Sequence, residues 1–220
     1  MHWVLKHSPI FFDFDGLLVD TERLHFQAYQ SMLKNRNCSL PWDLTTFLSI
    51  AHKNATGLKA HILALFPELH STDWDILYAE KKAVYMELVQ KGALKMMPGA
   101  KRMLTLVSEE NIPHAVVTNS TKSEIEAIKK HLPDLKTIPT WIVREDYQAP
   151  KPAPDAYLKA LEVLEETAEN CIGFEDSLRG VDSLIGANIK PVLICLETHP
   201  QMSAIKNKEV KHFTSFEALF

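Results

Sequence analysis

The chain has 220 residues, 46% hydrophobic and 24% charged, with 7 Gly and 12 Pro; this excludes disordered, collagen-like and low-complexity architectures and leaves room for one large domain or a core with a smaller companion. Basic residues number 24 against 28 acidic ones, a net charge of −4, which argues against a nucleic-acid or anionic-membrane footprint. The three cysteines, Cys38, Cys171 and Cys195, share no metal-type spacing, so small buried thiols in a reducing cytoplasm are expected.

The N-terminal apolar run is broken by Lys6 and His7, too short for a signal peptide, and no apolar stretch reaches the length of a membrane span. A cytoplasmic protein, a monomer or weak dimer, is expected. Residues 9–14 read as the first strand, which runs into Asp13-Phe14-Asp15-Gly16. Acids at i and i+2 point to one side of an extended chain. Two like charges so close need a cation or a shared proton, and Gly16 lets the chain turn away at once.

More than eighty residues then read as helices only. Leu24, Ala28 and Met32 form one stripe and Ile62, Leu65 and Phe66 another. The longest runs through Trp74, Leu77, Tyr78, Lys81, Val84, Tyr85, Leu88 and Val89. A block this long is an inserted all-helical cap, residues 20–95, closed by Met97-Pro98-Gly99. Its place directly after the first strand sets it over the ligand edge.

From Ala100 onward helices and strands alternate. Helical stripes are carried by Ala100, Met103, Leu104 and Val107; by Ile125, Ile128 and Leu132; by Tyr157, Leu161 and Leu164; and by Val181, Leu184 and Ile185. Between them lie strand-like runs at residues 113–118, 140–143, 171–174 and 191–196. The alternation predicts an α/β fold: a Rossmann-like parallel sheet in residues 1–19 and 96–220, with every strand C-terminus on one edge. Residues 197–220 end in Phe213, Phe216, Leu219 and Phe220, which reads as a packed terminal helix.

Three more motifs fall at strand ends. Thr118-Asn119-Ser120 precedes Thr121-Lys122-Ser123-Glu124, which has capping-box form; hydroxyls, an amide and free N–H groups at a helix start suit a phosphate. Lys151 lies within Pro150-Lys151-Pro152-Ala153-Pro154, where prolines restrict its backbone. Gly173-Phe174-Glu175-Asp176-Ser177 brings a second acidic pair to the same edge.

Taken in order, D-F-D-G-L-L-V-D-T-E, T-N-S, K-P-A-P-D-A-Y and G-F-E-D-S-L-R-G resemble the haloacid dehalogenase-like hydrolase superfamily, in particular its branch with a helical cap after the first motif. The resemblance covers essentially the whole chain. It implies Asp13 as the nucleophile that forms an aspartyl-phosphate and Asp15 as the general acid–base. It implies Mg²⁺ on Asp13, the backbone carbonyl of Asp15 and Asp176, with Glu175 as a ligand or an acid just behind them. Thr118, Asn119 and Lys151 would bind the phosphoryl group. A halide leaves without a proton, so Asp15 favours phosphate esters over haloacids.

In the cap, His25 occupies the place of a hinge histidine in the mutase pattern. Ser120, His52 and Lys53 are the other candidates for substrate contact. The mutase branch also carries a Lys-Gly-x-x-Arg-like stretch in the cap and a lysine directly after the serine of the second motif. Here the chain has Ser49-Ile50-Ala51-His52-Lys53-Asn54 and Thr121. The expected activity is a Mg²⁺-dependent phosphatase acting on a small phosphorylated metabolite such as a sugar phosphate. A β-phosphoglucomutase is the alternative within enzymes. A non-enzymatic phospho-receiver or binding module is the alternative from another class.

Overall fold

The computed structural model describes residues 3–52, 55–92, 94–205 and 210–220. Strands β1 (Ile10–Phe12), β2 (His114–Val117), β3 (Thr140–Ile142), β4 (Ile172–Glu175), β5 (Lys190–Ile194) and β6 (Lys211–Phe213) form one sheet in the order β3-β2-β1-β4-β5-β6. Every neighbouring pair is parallel. Strands β1, β2 and β4 are buried along their whole length, as expected for apolar runs in a parallel sheet covered on both faces. Side-chain alternation sends Ile10 and Phe12 to one face, where Phe12 stacks on Phe174 at 5.4 Å. Phe11 points to the other face and meets Tyr157 edge-on at 6.1 Å. Such a fully buried aromatic contributes roughly 1.5–3 kcal/mol relative to exposure.

Between β1 and the rest of the sheet lie α1 (Glu22–Asn35), α2 (Leu44–Ala51), α3 (Ala55–Leu65) and α4 (Trp74–Gln90), with a 3₁₀ turn at Pro67–Ser71. They share an apolar cluster of their own that includes Tyr29, Met32, Phe47, Ile62 and Leu77. Among the described residues the insertion is therefore helical, with an apolar cluster of its own, while Leu24, Ala28, Tyr85 and Val89 pack into the main core. Its two connections run side by side, Asp20 N–H donating to Lys95 O at 3.0 Å and Met97 N–H to Leu18 O at 2.8 Å. Helix α4 buries Leu77, Lys81, Tyr85 and Val89 at four-residue spacing, so a lysine occupies a core position.

Four helices then cover the sheet: α5 (Ala100–Glu109), α6 (Lys122–His131), α7 (Asp155–Leu164) and α8 (Leu178–Gly186). The stripe Ala100, Met103, Leu104 and Val107 is buried as its spacing predicts. At the start of α6, Thr121 N–H donates to Glu124 Oε2 at 2.8 Å, one half of the expected capping box. Cys38, Cys171 and Cys195 are free and buried. Among the described residues no helix is long and apolar enough to cross a membrane.

The end of the chain departs from the expected terminal helix. It holds a short helix α9 (Met202–Ile205), the sixth strand and a 3₁₀ turn at Phe216–Leu219. Phe213 stacks on Trp3 at 6.1 Å, while Phe216 enters the core against Phe12 and Phe174. Aromatic residues three apart satisfy a 3₁₀ turn as well as an α-helix, which is why the pattern misleads. Strand β6 also covers the edge of β5, which would otherwise present unpaired backbone groups.

Candidate active site

The strand order places the ends of β2, β1 and β4 side by side, and four of the motifs meet there. Asp13 follows β1, its N–H donating to Phe174 O at 2.9 Å. Gly16 then turns with φ +78°, and a Cβ there would lie 2.3 Å from Asp176 Oδ2. Backbone conformation and the approach of a carboxylate thus both demand glycine at this position.

Lys151 is 3% exposed and joins the two acidic motifs. Its Nζ donates to Asp13 Oδ1 and to Glu175 Oε1, both at 2.6 Å, and to Val117 O at 2.8 Å. Tyr157 on α7 completes the knot, its hydroxyl donating to Glu175 Oε1 at 2.5 Å. Burial works against the Lys151 ammonium, but Asp13 and Glu175 outweigh it and hold the pKa above its ordinary value. Asn119 supports this loop, its Oδ1 accepting from Lys151 N–H at 3.2 Å and from Tyr147 OH at 2.7 Å.

Asp15 sits in a separate set of donors. Thr21 Oγ1 donates to its Oδ1 at 2.7 Å, and Ser120 and Thr118 hydroxyls donate to its Oδ2 at 2.6 and 3.2 Å. His25 Nε2 lies 3.9 Å from Oδ1. Burial alone would raise Asp15, yet His25, Ser120 and Thr21 together bring it below the usual carboxylate range. Lys81 Nζ lies 2.7 Å from His25 Nδ1. An ammonium can only donate, so that ring nitrogen accepts and the imidazole proton sits on Nε2, toward Asp15.

Asp13, Glu175 and Asp176 are all buried, with carboxylate oxygens within 4.8 Å of one another. Burial and the neighbouring Glu175 hold Asp13 well above its ordinary pKa despite Lys151. Burial, with Glu22 and Glu175 against the opposing pull of His52, pushes Asp176 up to about 7. Glu175 Oε2 has no hydrogen-bond partner. Three acids short of positive charge, one with an orphaned buried oxygen, are a donor set of hard oxygens suited to Mg²⁺. The Asp15 carboxylate is not part of that cluster; its own donors occupy it.

A cleft of about 410 Å³ separates these strand ends from α1, α2, α3 and α4. His25, His52 and Ser120, the expected substrate contacts, and Asn119, an expected phosphate contact, are among the residues that line it. Ser120, however, spends its hydroxyl on Asp15. His52 Nε2 faces Glu22 Oε1 at 3.1 Å, and its ring stacks on His199 at 5.3 Å. Burial disfavours the His52 cation, but Glu22 outweighs it and raises the pKa, while Glu22 itself is held down to about 2. Lys53 lies outside the described residues.

Five participants carry no role in the sequence reading. Tyr157 and Lys81 fall within apolar helical stripes, although a lysine in such a stripe is itself a signal. Glu22 stands three residues before His25, one helical turn away. Thr21 precedes it, and Arg179 lies within the last motif.

The family model for haloacid dehalogenase-like hydrolases matches residues 10–194. Protein CbbY of Rhodobacter capsulatus is 26% identical over 198 residues, covering 86% of each chain. A phosphorylated carbohydrates phosphatase of Thermotoga maritima is 28% identical over 186 residues, 84% of this chain and 83% of that one. Among solved structures, CbbY from Rhodobacter sphaeroides in complex with phosphate superposes with a TM-score of 0.79 at 21% identity, covering 97% and 96%.

Proposed function

The chain belongs to the haloacid dehalogenase-like hydrolase family, and we propose that it is a Mg²⁺-dependent phosphatase of a small phosphate monoester, such as a sugar phosphate. The observation that carries this reading is the contrast between Asp13 and Asp15, two residues apart. One carboxylate is paired with a buried lysine, the other is cradled by hydroxyls at the mouth of the cleft. The relative named for phosphorylated carbohydrates supports the substrate class.

A carboxylate oxygen of Asp13 attacks phosphorus, and the ester P–O bond breaks as the leaving alkoxide takes a proton from Asp15. Asp15 then accepts a proton from water as that water attacks the aspartyl-phosphate, releasing phosphate and restoring both acids. Lys151 offsets the charge on the phosphoryl oxygens and keeps Asp13 in register. Thr118 and Asn119 stand beside it, Asn119 by fixing the Lys151 loop. Asp13, Asp176 and Glu175, with the Asp15 carbonyl, would hold Mg²⁺, which when bound neutralises the acids and the phosphoryl oxygens.

The donors around Asp15 favour its anion, the form needed as base. Its turn as acid requires a proton that these hydroxyls do not supply, so loading Asp15 is coupled to rearrangement around His25 and Thr21. Residues 20–95 act as the lid whose closure excludes bulk water from Asp13. Substituting Asp13→Asn is expected to abolish Mg²⁺-dependent phosphate release from a panel of sugar phosphates; unchanged release overturns the reading.

A further inference from the structure

Six side chains with basic nitrogens line the cleft: His25, His52, Lys81, Lys82, Arg144 and Arg179. Five of them are committed. Lys81 holds His25, Lys82 lies 3.8 Å from Glu124, and His52 faces Glu22. The Arg144 guanidinium donates to the carbonyls of Tyr147 and Gln148 at 2.8 and 2.9 Å.

Arg179 differs. Its Nε is buried without a hydrogen-bond partner, and among the described residues it is the one cation on this cleft with neither a hydrogen bond nor an ion pair. The side chain as a whole is half-buried, so the unmade bond at Nε is costly while the rest of the planar fork stays open to a carboxylate or phosphate. His52 Nδ1, also on the cleft, is a second buried nitrogen without a partner. Arg179 shares this cleft with Asp15, Asn119 and Ser120 on the sheet side and with Glu22, His25, His52 and Tyr78 on the cap side, so it stands between the phosphoryl centre and the space for the rest of the substrate. Position in the chain agrees: Arg179 is the second residue of α8, three after Asp176, which puts it where the phosphoryl site opens into the cleft.

We propose that Arg179 is a specificity-determining residue that binds a second anionic group of the substrate, a phosphate or a carboxylate distant from the ester that is cleaved. The inference rests on the phosphatase reading for which ester is cleaved. Its test is binding, which does not require turnover.

Calorimetric titrations in Mg²⁺ buffer would compare Asp13→Asn protein with the Asp13→Asn/Arg179→Met double variant. The probes are glucose 6-phosphate, fructose 1,6-bisphosphate, 6-phosphogluconate and inorganic phosphate. Expected is tighter binding of at least one doubly anionic probe by the Arg179-intact protein, and its loss by about tenfold or more in the double variant. Glucose 6-phosphate and inorganic phosphate should be unaffected. A response from fructose 1,6-bisphosphate alone identifies the second group as phosphate, and from 6-phosphogluconate alone as carboxylate. Equal loss for all four probes overturns the proposal, because Arg179 would then hold the transferred phosphoryl group. No preference for a doubly anionic probe in the intact protein overturns it as well. Arg179→Lys, which keeps the charge without the fork, is expected to recover part of the affinity and serves if the methionine variant fails to fold. Loss of phosphate release in wild-type protein would overturn the phosphatase reading separately.

Discussion

Gly180 and Glu175 compete for the same space: a Cβ built on Gly180 would lie 1.9 Å from Glu175 Oε2. The last glycine of the acidic motif thus exists to let a carboxylate lie flat on the first turn of α8. Helix propensity argues the opposite way, since alanine in a helix is favoured over glycine by about 1 kcal/mol. The contact decides, because Glu175 is pinned by Lys151 and Tyr157 and has nowhere to yield. Gly180→Ala is expected to lower stability by about 1–3 kcal/mol, the usual cost of overpacking. A urea titration checks it; a gain of stability would show that Glu175 moves freely.

Lys151 carries the opposite lesson. Truncating one partner of a buried ion pair leaves charge behind without compensation, at about 3–5 kcal/mol. Lys151→Met is expected to destabilise by that order and to eliminate phosphate release. Lys151→Met/Glu175→Gln should recover part of the stability and none of the activity, as measured by thermal melts and phosphate assays on the same preparations.

Metal removal has a pH signature with a definite sign. The Asp176 carboxyl is raised from 3.8 to about 7, and Asp13 is raised too. The folded protein therefore holds protons that the unfolded chain has released. Stability that is present below about pH 4 is lost as pH rises through about 7. Melting temperature after EDTA treatment is expected to fall across that window, and saturating Mg²⁺ should flatten the fall. A flat profile without metal would mean that the acids are compensated by the protein alone.

If Asp15 delivers the proton to the leaving oxygen, its removal should matter in proportion to how badly that oxygen needs one. Asp15→Asn is expected to slow release from alkyl phosphates by roughly 10²–10⁴. p-Nitrophenyl phosphate, whose leaving group departs as an anion, should lose far less in its first step. Equal losses in a single-turnover measurement of that step would deny Asp15 the role of acid.

The residues at strand ends were legible because chemistry there is local in sequence. Asp13, Asp15, Lys151 and Asp176 each sit beside a glycine, a proline or a strand terminus that explains why they turn toward one edge. Cap residues were harder to read, because their meaning depends on tertiary meeting. Lys81 reads as one more position in the apolar stripe of α4 until Tyr29, Tyr78 and Tyr85 are seen around it, its Nζ at 5.3, 5.7 and 5.0 Å from their rings. Tyr157 has the same history on α7, where a core ring also carries the hydroxyl that Glu175 needs. Strand β6 escapes a sequence reading because three residues, exposed at one end, offer too little alternation.

Lys81 supports a last prediction in which stability and function part. The side chain is 3% exposed, and burial lowers its pKa from 10.5 to about 8. Between those values the unfolded chain binds a proton that the folded chain does not, so stability is fully present above about pH 10.5 and is lost as pH falls through 8. Near neutral pH the fold therefore carries the cost of a buried ammonium, offset in part by the tyrosine faces. Lys81→Met, similar in length and apolar, is expected to raise stability near pH 7 by about 1–2 kcal/mol. The advantage over wild type should shrink as pH climbs from about 8 toward 10.5. Turnover should move the other way, because His25 loses the donor that fixes its proton on Nε2, opposite Asp15. Melts and phosphate release measured on one variant across pH test both halves. A variant less stable than wild type at pH 7 would mean that the contacts to His25 and the three rings outweigh the burial of the charge.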